Sequence, residues 1–206
     1  FRVERARTPP IITEAVRAAG VPAIDGDWPK ARALVEMLLQ NWQRDHPIQS
    51  DLATTYLGIE KGLGYCSDYV RVFIGAAHGL GIFCRQWAFS FDGFGGHGHT
   101  FVEIFDRERG AWVFLDVHNN VYAVLAGSEV PLSGLELRQA LLTAPAAVEF
   151  RRAAPGRLGF PDFKKLAGYF QRGAAQWYLG WGNDVISREQ SWYLKAIAVL
   201  SRDLAH

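Results

Sequence analysis

A chain of 206 residues that is 49% hydrophobic, with 22 basic residues nearly balancing 21 acidic ones, can bury a sizeable core and is not a disordered chain. Its formal net charge of +1 gives no general electrostatic footprint for nucleic acid, and no run of about 20 apolar residues reads as a membrane span. The two cysteines, Cys66 and Cys84, form neither a disulfide framework nor a zinc-finger spacing.

Residues 1–28 are irregular and punctuated by proline, with a short helix expected near 13–19. A helix follows, with Pro29 in its first turn and Ala31, Leu34, Val35, Leu38, Leu39 and Trp42 on one face. Residues 45–64, with Pro47 and three glycines, read as a loop. From Cys66 the apolar positions Tyr69, Val70, Phe73, Ile74 and Ala77 repeat with helical spacing, so a helix is expected over 66–78. A strand over 82–91 carries Cys84, read as a small buried hydrophobe. The glycine-rich stretch 92–96 then turns the chain into a hairpin of 98–105 and 111–117. Beyond Asn120 the texture changes. Ser133-Gly134-Leu135-Glu136 is a capping box before a helix to about Leu142, and 148–151 reads as a short strand. Two more helices are expected over 161–178 and 188–204, the second opened by a capping box at Ser187-Arg188-Glu189-Gln190. Helix first and antiparallel sheet second make an α+β pattern.

Three side chains carry the chemistry. A thiol in the first turn of a helix meets unpaired N–H groups and the positive end of the helix dipole, both of which favour thiolate. Cys66 has that position. If the hairpin turn is centred between Arg107 and Glu108, paired residue numbers sum to 215, which makes His99 and Asp116 direct cross-strand neighbours. The set Cys66, His99 and Asp116 then reads as nucleophile, general base and orienter, the logic of the Ser-His-Asp triad with a thiol.

Gly64-Tyr65-Cys66-Ser67-Asp68, the turn Gly79-Leu80-Gly81-Ile82, His99-Thr100-Phe101-Val102-Glu103 and Trp112-Val113-Phe114-Leu115-Asp116 together resemble the transglutaminase-like branch of the papain-like cysteine enzymes. The resemblance covers about residues 56–120. It departs at Val117-His118, where the family usually follows its Asp with Pro, and over the C-terminal helices. It implies a papain-like core within residues 1–130 and a C-terminal helical extension over 131–206 packed on it. By that likeness Cys66, His99 and Asp116 carry over as a triad for acyl transfer from an amide through a thioester, with water or an amine as acceptor. The substrate is then a peptide or other amide, and the chemistry needs no cofactor. Calcium dependence occurs in some relatives, yet no Asp-x-Asp-x-Asp loop is present. The Cys66 N–H is one expected oxyanion donor; among Trp42, Tyr56 and Glu60 nothing selects a second.

Competing patterns are weaker. Gly93-Phe94-Gly95-Gly96-His97-Gly98 fits G-x-G-x-x-G but precedes a strand, so the dinucleotide reading fails. His97, His99 and Glu103 resemble the metal motif of cupin barrels, but a chain with at least four helices does not suit that fold. His118 reads as a loop histidine that could join such a site or the rim of the active site. Trp177, Tyr178, Trp181, Trp192 and Tyr193 read as packing, with a protein partner surface as the alternative. The alternatives for the whole chain are a catalytically inactive scaffold on the same fold and a metal-binding protein. The chain begins at Phe1, so a missing upstream segment is expected and the compartment stays open, leaning to the cytoplasm.

Overall fold

The computed structural model describes residues 1–91 and 97–190. Helix α1 spans Pro10–Ala18, α2 Asp27–Leu39, α3 Leu52–Glu60 and α4 Cys66–Gly79. Strands β1 (Cys84–Ser90), β2 (Gly98–Asp106), β3 (Ala111–Leu115) and β4 (Val121–Leu125) follow. The chain continues through α5 (Gly134–Thr143), β5 (Val148–Arg152), α6 (Phe163–Gly173), β6 (Trp177–Leu179) and α7 (Val185–Gln190). This is the expected α+β order of a helix-first, antiparallel-sheet fold.

The central sheet is antiparallel in the order β3-β2-β1-β6. Its side chains alternate between two cores, as the pleat requires. Cys84, Val102, Ile104, Val113 and Leu115 face α2 and α4. Trp87, Phe89, Phe101 and Phe114 face the opposite way, against α5, α6 and the separate β4–β5 pair. The second core is strongly aromatic: Phe170 of α6 lies edge-on to Phe89 and Phe114, each at 5.5 Å between centroids, and tilted against Phe101 at 5.7 Å. Trp177 stacks on Phe89 at 13°, so this member of the aromatic group packs as expected.

Several expectations are corrected. Residues 52–60 form a helix where a loop was expected, because the Asp51 carboxylate accepts the Thr54 N–H at 3.0 Å and starts it. The helix expected over 161–178 ends at Gly173, and Trp177–Leu179 becomes β6 on the edge of β1. Strand β4 falls where no element was expected. Ser187 does not cap α7, which begins at Val185; Glu189 instead bonds Arg71 and the Leu52 N–H. The stretch 92–96, Trp192, Tyr193 and most of the helix expected over 188–204 lie outside the described residues.

The hairpin register also differs. Val102 pairs with Leu115 and Asp106 with Ala111, so paired numbers sum to 217. The loop is four residues long, with Gly110 at φ 62 in the left-handed region and the Asp106 carboxylate accepting from Glu108 N–H and Arg109. His99 and Asp116 are therefore not direct cross-strand neighbours. The slip is two residues, an even number, so both stay on the same face of the sheet.

Two buried carboxylates tie the layers together. Glu103, with no exposed surface, accepts from Arg85 at 2.5 Å, from the Trp87 indole and from the Gly134 N–H that opens α5. Glu4 accepts from the N–H groups of Ala6, Ile186 and Ser187, which pins the N-terminal segment to α7. Because Phe170 is fully buried where α6 meets the sheet, Phe170→Ala is expected to cost about 3–5 kcal/mol of stability. Urea unfolding of the two proteins measures this, and a loss below about 1 kcal/mol would show that α6 is not part of the cooperative core.

Candidate active site

Cys66 occupies the first position of α4, and Asp68 is what holds that helix start in place. Its carboxylate reaches back to the Tyr65 N–H at 2.9 Å and also accepts the N–H groups of Ile48 and Gln49, both at 3.1 Å. Two residues of the preceding loop and the first turn of α4 thus share one anion, as in a capping box. The thiol is partly exposed, while Cys84 is buried in the helix-side core.

His99 lies on β2, one residue after Gly98. A Cβ at Gly98 would stand 1.8 Å from the Phe89 carbonyl oxygen, so only glycine lets β2 approach β1 at this point. That close approach accounts for the last glycine of the G-x-G-x-x-G pattern. The His99 ring is enclosed by Phe89, Phe101, Tyr169 and Phe170, at 6.0, 6.4, 5.9 and 5.8 Å between centroids. Its Nε2 is 2.7 Å from Asp116 Oδ2. With Nε2 engaged there, Nδ1 is the ring nitrogen left for the Cys66 thiol, whose charge acts on the imidazole.

Asp116 follows β3 and has no exposed surface. A bridge to Val121 closes the tight turn 117–120 behind it, with Asn120 at φ 60. Asn119 on that turn bonds the carboxylate twice: its amide Nδ2 donates to Oδ2 at 2.6 Å, and its backbone N–H to Oδ1 at 3.1 Å. The same amide touches His99 Nε2 at 3.2 Å. Asn119 is a positioning residue that the sequence reading missed. So is Tyr169, whose hydroxyl donates to the Gly98 carbonyl at 3.1 Å. The Asn119 signal was weak, an Asn three residues beyond the Asp as in an Asx-turn; for Tyr169, on a distant helix, there was none.

Burial alone would push the Cys66 thiol up, but the His99 charge, its hydrogen bond and the Thr100 N–H bring it below its ordinary range. For His99, burial works downward, and the charges of Asp116 and Cys66 overcome it, so the imidazole is pushed up to about 10. Burial likewise opposes ionisation of Asp116, yet His99 and Asn119 hold its carboxyl below the usual carboxylate range. The three titrate as one unit, and each shift favours its charged form: thiolate, imidazolium and carboxylate.

The remaining sequence candidates separate from this centre. Tyr56 and Glu60 lie together on α3, where burial and the Glu60 charge push the phenol up, and Trp42 lies under the Arg157 guanidinium. His118 pairs with Asp45 at 3.0 Å, its ring 6.3 Å from that of His99. Glu103 is spent on Arg85, Trp87 and Gly134, which removes it from any metal set with His97 and His99. Among the described residues no group of three or more His, Cys, Asp or Glu side chains is placed to hold a metal ion. No described helix is long and apolar enough to cross a membrane.

The sign of the thiol shift gives an expected pH profile. Cys66 alkylation by iodoacetamide should persist into mildly acidic solution, below the ordinary thiol range of about 8.5. His99→Ala leaves burial and the Asp116 charge to push the thiol up, so its profile should move to alkaline pH. Superimposable profiles for the two proteins would mean that His99 does not set the thiol's ionisation.

Comparison with known proteins identifies the family. The sequence pattern of the "Transglutaminase-like superfamily" matches residues 15–117, half of the chain. No curated protein matches it. A solved structure named as a "Putative Cysteine Protease from Cytophaga hutchinsonii" is 16% identical, with a TM-score of 0.38 over 70% of this chain and 49% of that one. This chain therefore spans about half the length of that protein. With the family pattern running from α1 through the Cys66 helix to the end of β3, the chain belongs to the transglutaminase-like superfamily.

Proposed function

We propose that this protein is a cysteine-dependent acyl-transfer enzyme that acts on an amide bond, with Cys66 as nucleophile, His99 as acid and base, and Asp116 as orienter. The observation that carries the reading is the buried His99–Asp116 contact of 2.7 Å beside a thiol at a helix start. A pair so enclosed, with the thiol drawn down by it, is the electrostatic setting in which a cysteine works as a nucleophile at neutral pH.

The Cys66 thiolate adds to the amide carbonyl carbon, and the oxyanion that forms is met by the Cys66 backbone N–H at the start of α4. As the carbon–nitrogen bond breaks, the His99 imidazolium gives its proton to the leaving amine. A thioester on Cys66 and a neutral His99 remain. Water or an amine then attacks the thioester carbonyl while His99 takes its proton, and the thiolate leaves to restore the resting state. Water as acceptor makes the enzyme a peptidase or amidase, and an amine makes it a transamidase. Asp116 keeps Nε2–H directed at itself, so that Nδ1 faces the reaction throughout. Asn119 supports this role, since its Nδ2 already donates to Asp116 and cannot accept from the imidazole.

The reading is tested by incubating the protein with a pool of glutamine-containing and C-terminally amidated peptides, with and without a fluorescent primary amine. Release of ammonia or amine, or transfer of the label, is expected from the wild type. Cys66→Ala should abolish both with the fold intact by circular dichroism. Asp116→Asn should retain some turnover, reduced by a factor on the order of 10³–10⁴ if the tautomer argument holds. Turnover that survives in Cys66→Ala would refute the mechanism. Alkylation of Cys66 no faster than of buried Cys84 would favour a scaffold that kept the fold.

A further inference from the structure

Buried donors without partners are rare in folded proteins and ask for an acceptor. Among the described residues, three such atoms gather at one place: Trp42 Nε1, the Tyr69 hydroxyl and Arg157 Nη1. The Arg157 guanidinium lies over the Trp42 ring, with its carbon 3.5 Å from the centroid. Its charge is also the one that acts most strongly on the Tyr69 hydroxyl. All three atoms can donate a hydrogen bond, and only the phenol can also accept one.

This cluster borders the triad. Asn120, at the end of the Asp116 turn, donates through Nδ2 to the carbonyls of Ala154 and Arg157 at 2.9 and 2.8 Å, which moors the Arg157 loop to that turn. Asp116 is close enough for its charge to act on Arg157. The Tyr69 ring packs on His118 at 5.5 Å, and His118 in turn lies 6.3 Å from His99. The obvious internal acceptor is Asp45. Its carboxylate is bonded to His118 and lies beside the Trp42 indole and the Arg157 charge, but it closes no ion pair with Arg157 within 4.0 Å and no hydrogen bond of full geometry with the indole. Arg157 is only half-buried, so its other N–H groups offer an anion a way in from solvent.

We propose that Trp42, Tyr69 and Arg157 form a carboxylate subsite beside Cys66, and that the substrate carries a carboxylate a few bonds from its reacting amide. The proposal rests on the acyl-transfer reading of Cys66. The planar guanidinium fork matches a carboxylate, and with Asp45 and Asp116 nearby a singly charged group suits the place better than a dianionic phosphate.

The probes are N-iodoacetylglycine and N-iodoacetyl-β-alanine, each compared with its own primary amide. For each protein the ratio of acid to amide alkylation rates at Cys66 is divided by the same ratio for glutathione, so general changes in thiol reactivity cancel. In the wild type at least one acid should be favoured about tenfold, the size of one charge-assisted hydrogen bond. Arg157→Gln should bring the ratio to that of glutathione, Arg157→Lys should restore part of it, and Tyr69→Phe should lower it. A second measurement does not need a reactive thiol: N-acetylglycine or N-acetyl-β-alanine should raise the melting temperature of Cys66→Ala protein, while their amides should not. The Arg157→Gln change should remove that rise, and Tyr69→Phe serves if the arginine variant does not fold. Ratios equal to glutathione's together with no Arg157-dependent rise would overturn the subsite and leave the donors to water or Asp45. An Arg157-dependent rise with a Cys66 that no probe alkylates would keep the subsite and sink the acyl-transfer reading instead.

Discussion

A carboxylate with no exposed surface is tolerated only when its lone pairs are met, and Asp116 shows how the site depends on that constraint. His99 and the two N–H groups of Asn119 supply the partners. Each partner is fixed by an element with its own reason to be there. His99 rides on a strand brought close by Gly98, and Asn119 on a turn closed by the Asp116–Val121 bridge. Removing any one partner would leave a buried charge unmet, at a cost of several kcal/mol. The pair therefore acts as a constraint on the fold as well as a device for the thiol. The aromatic ring cage around His99 sharpens both effects, since low polarity strengthens attraction within the pair and penalises its loss.

The second buried carboxylate of the sheet, Glu103, follows the same rule with a different outcome. It sits four residues after His99 on the same strand and face, but Arg85, Trp87 and the first N–H of α5 absorb it entirely. It holds α5 to the sheet and leaves nothing for chemistry. Two acidic groups on one sheet face thus divide into a structural tie and an active-site anion according to what surrounds them. The His-x-His-x3-Glu spacing could not make that distinction.

What was legible in the sequence was local. The helical period after Cys66, the Ser133–Glu136 capping box and the alternating hairpin strands each determine their element from adjacent residues, and each formed. The face shared by His99 and Asp116 was also legible, since parity survives an even slip, while the register was not. Register depended on a four-residue loop with a left-handed Gly110, and several loop lengths suit the same run of polar residues. The failures involved partners far away in the chain. Trp177–Leu179 is a strand because the edge of β1 was open, not because its own residues demanded it. Glu189 looked like part of a capping box and instead found Arg71 and Leu52.

The same distance in sequence explains why the proposed triad was legible as a set while the grouping of its surroundings was not. The proposed nucleophile, base and orienter lie within 51 positions (116 − 66 + 1), on elements that the family pattern spans as one unit. Trp42 lies between α2 and α3 and Tyr69 on the Cys66 helix, both within the matched residues, while Arg157 and Tyr169 come from two segments beyond them. The groups proposed for catalysis fall on elements that the family pattern spans. The groups that surround them are drawn both from that segment and from the chain's return to its core after β3. Selectivity should therefore be sought where the two meet, with Trp42 and Tyr69 on one side and Arg157 and Tyr169 of the returning chain on the other, rather than in either segment alone.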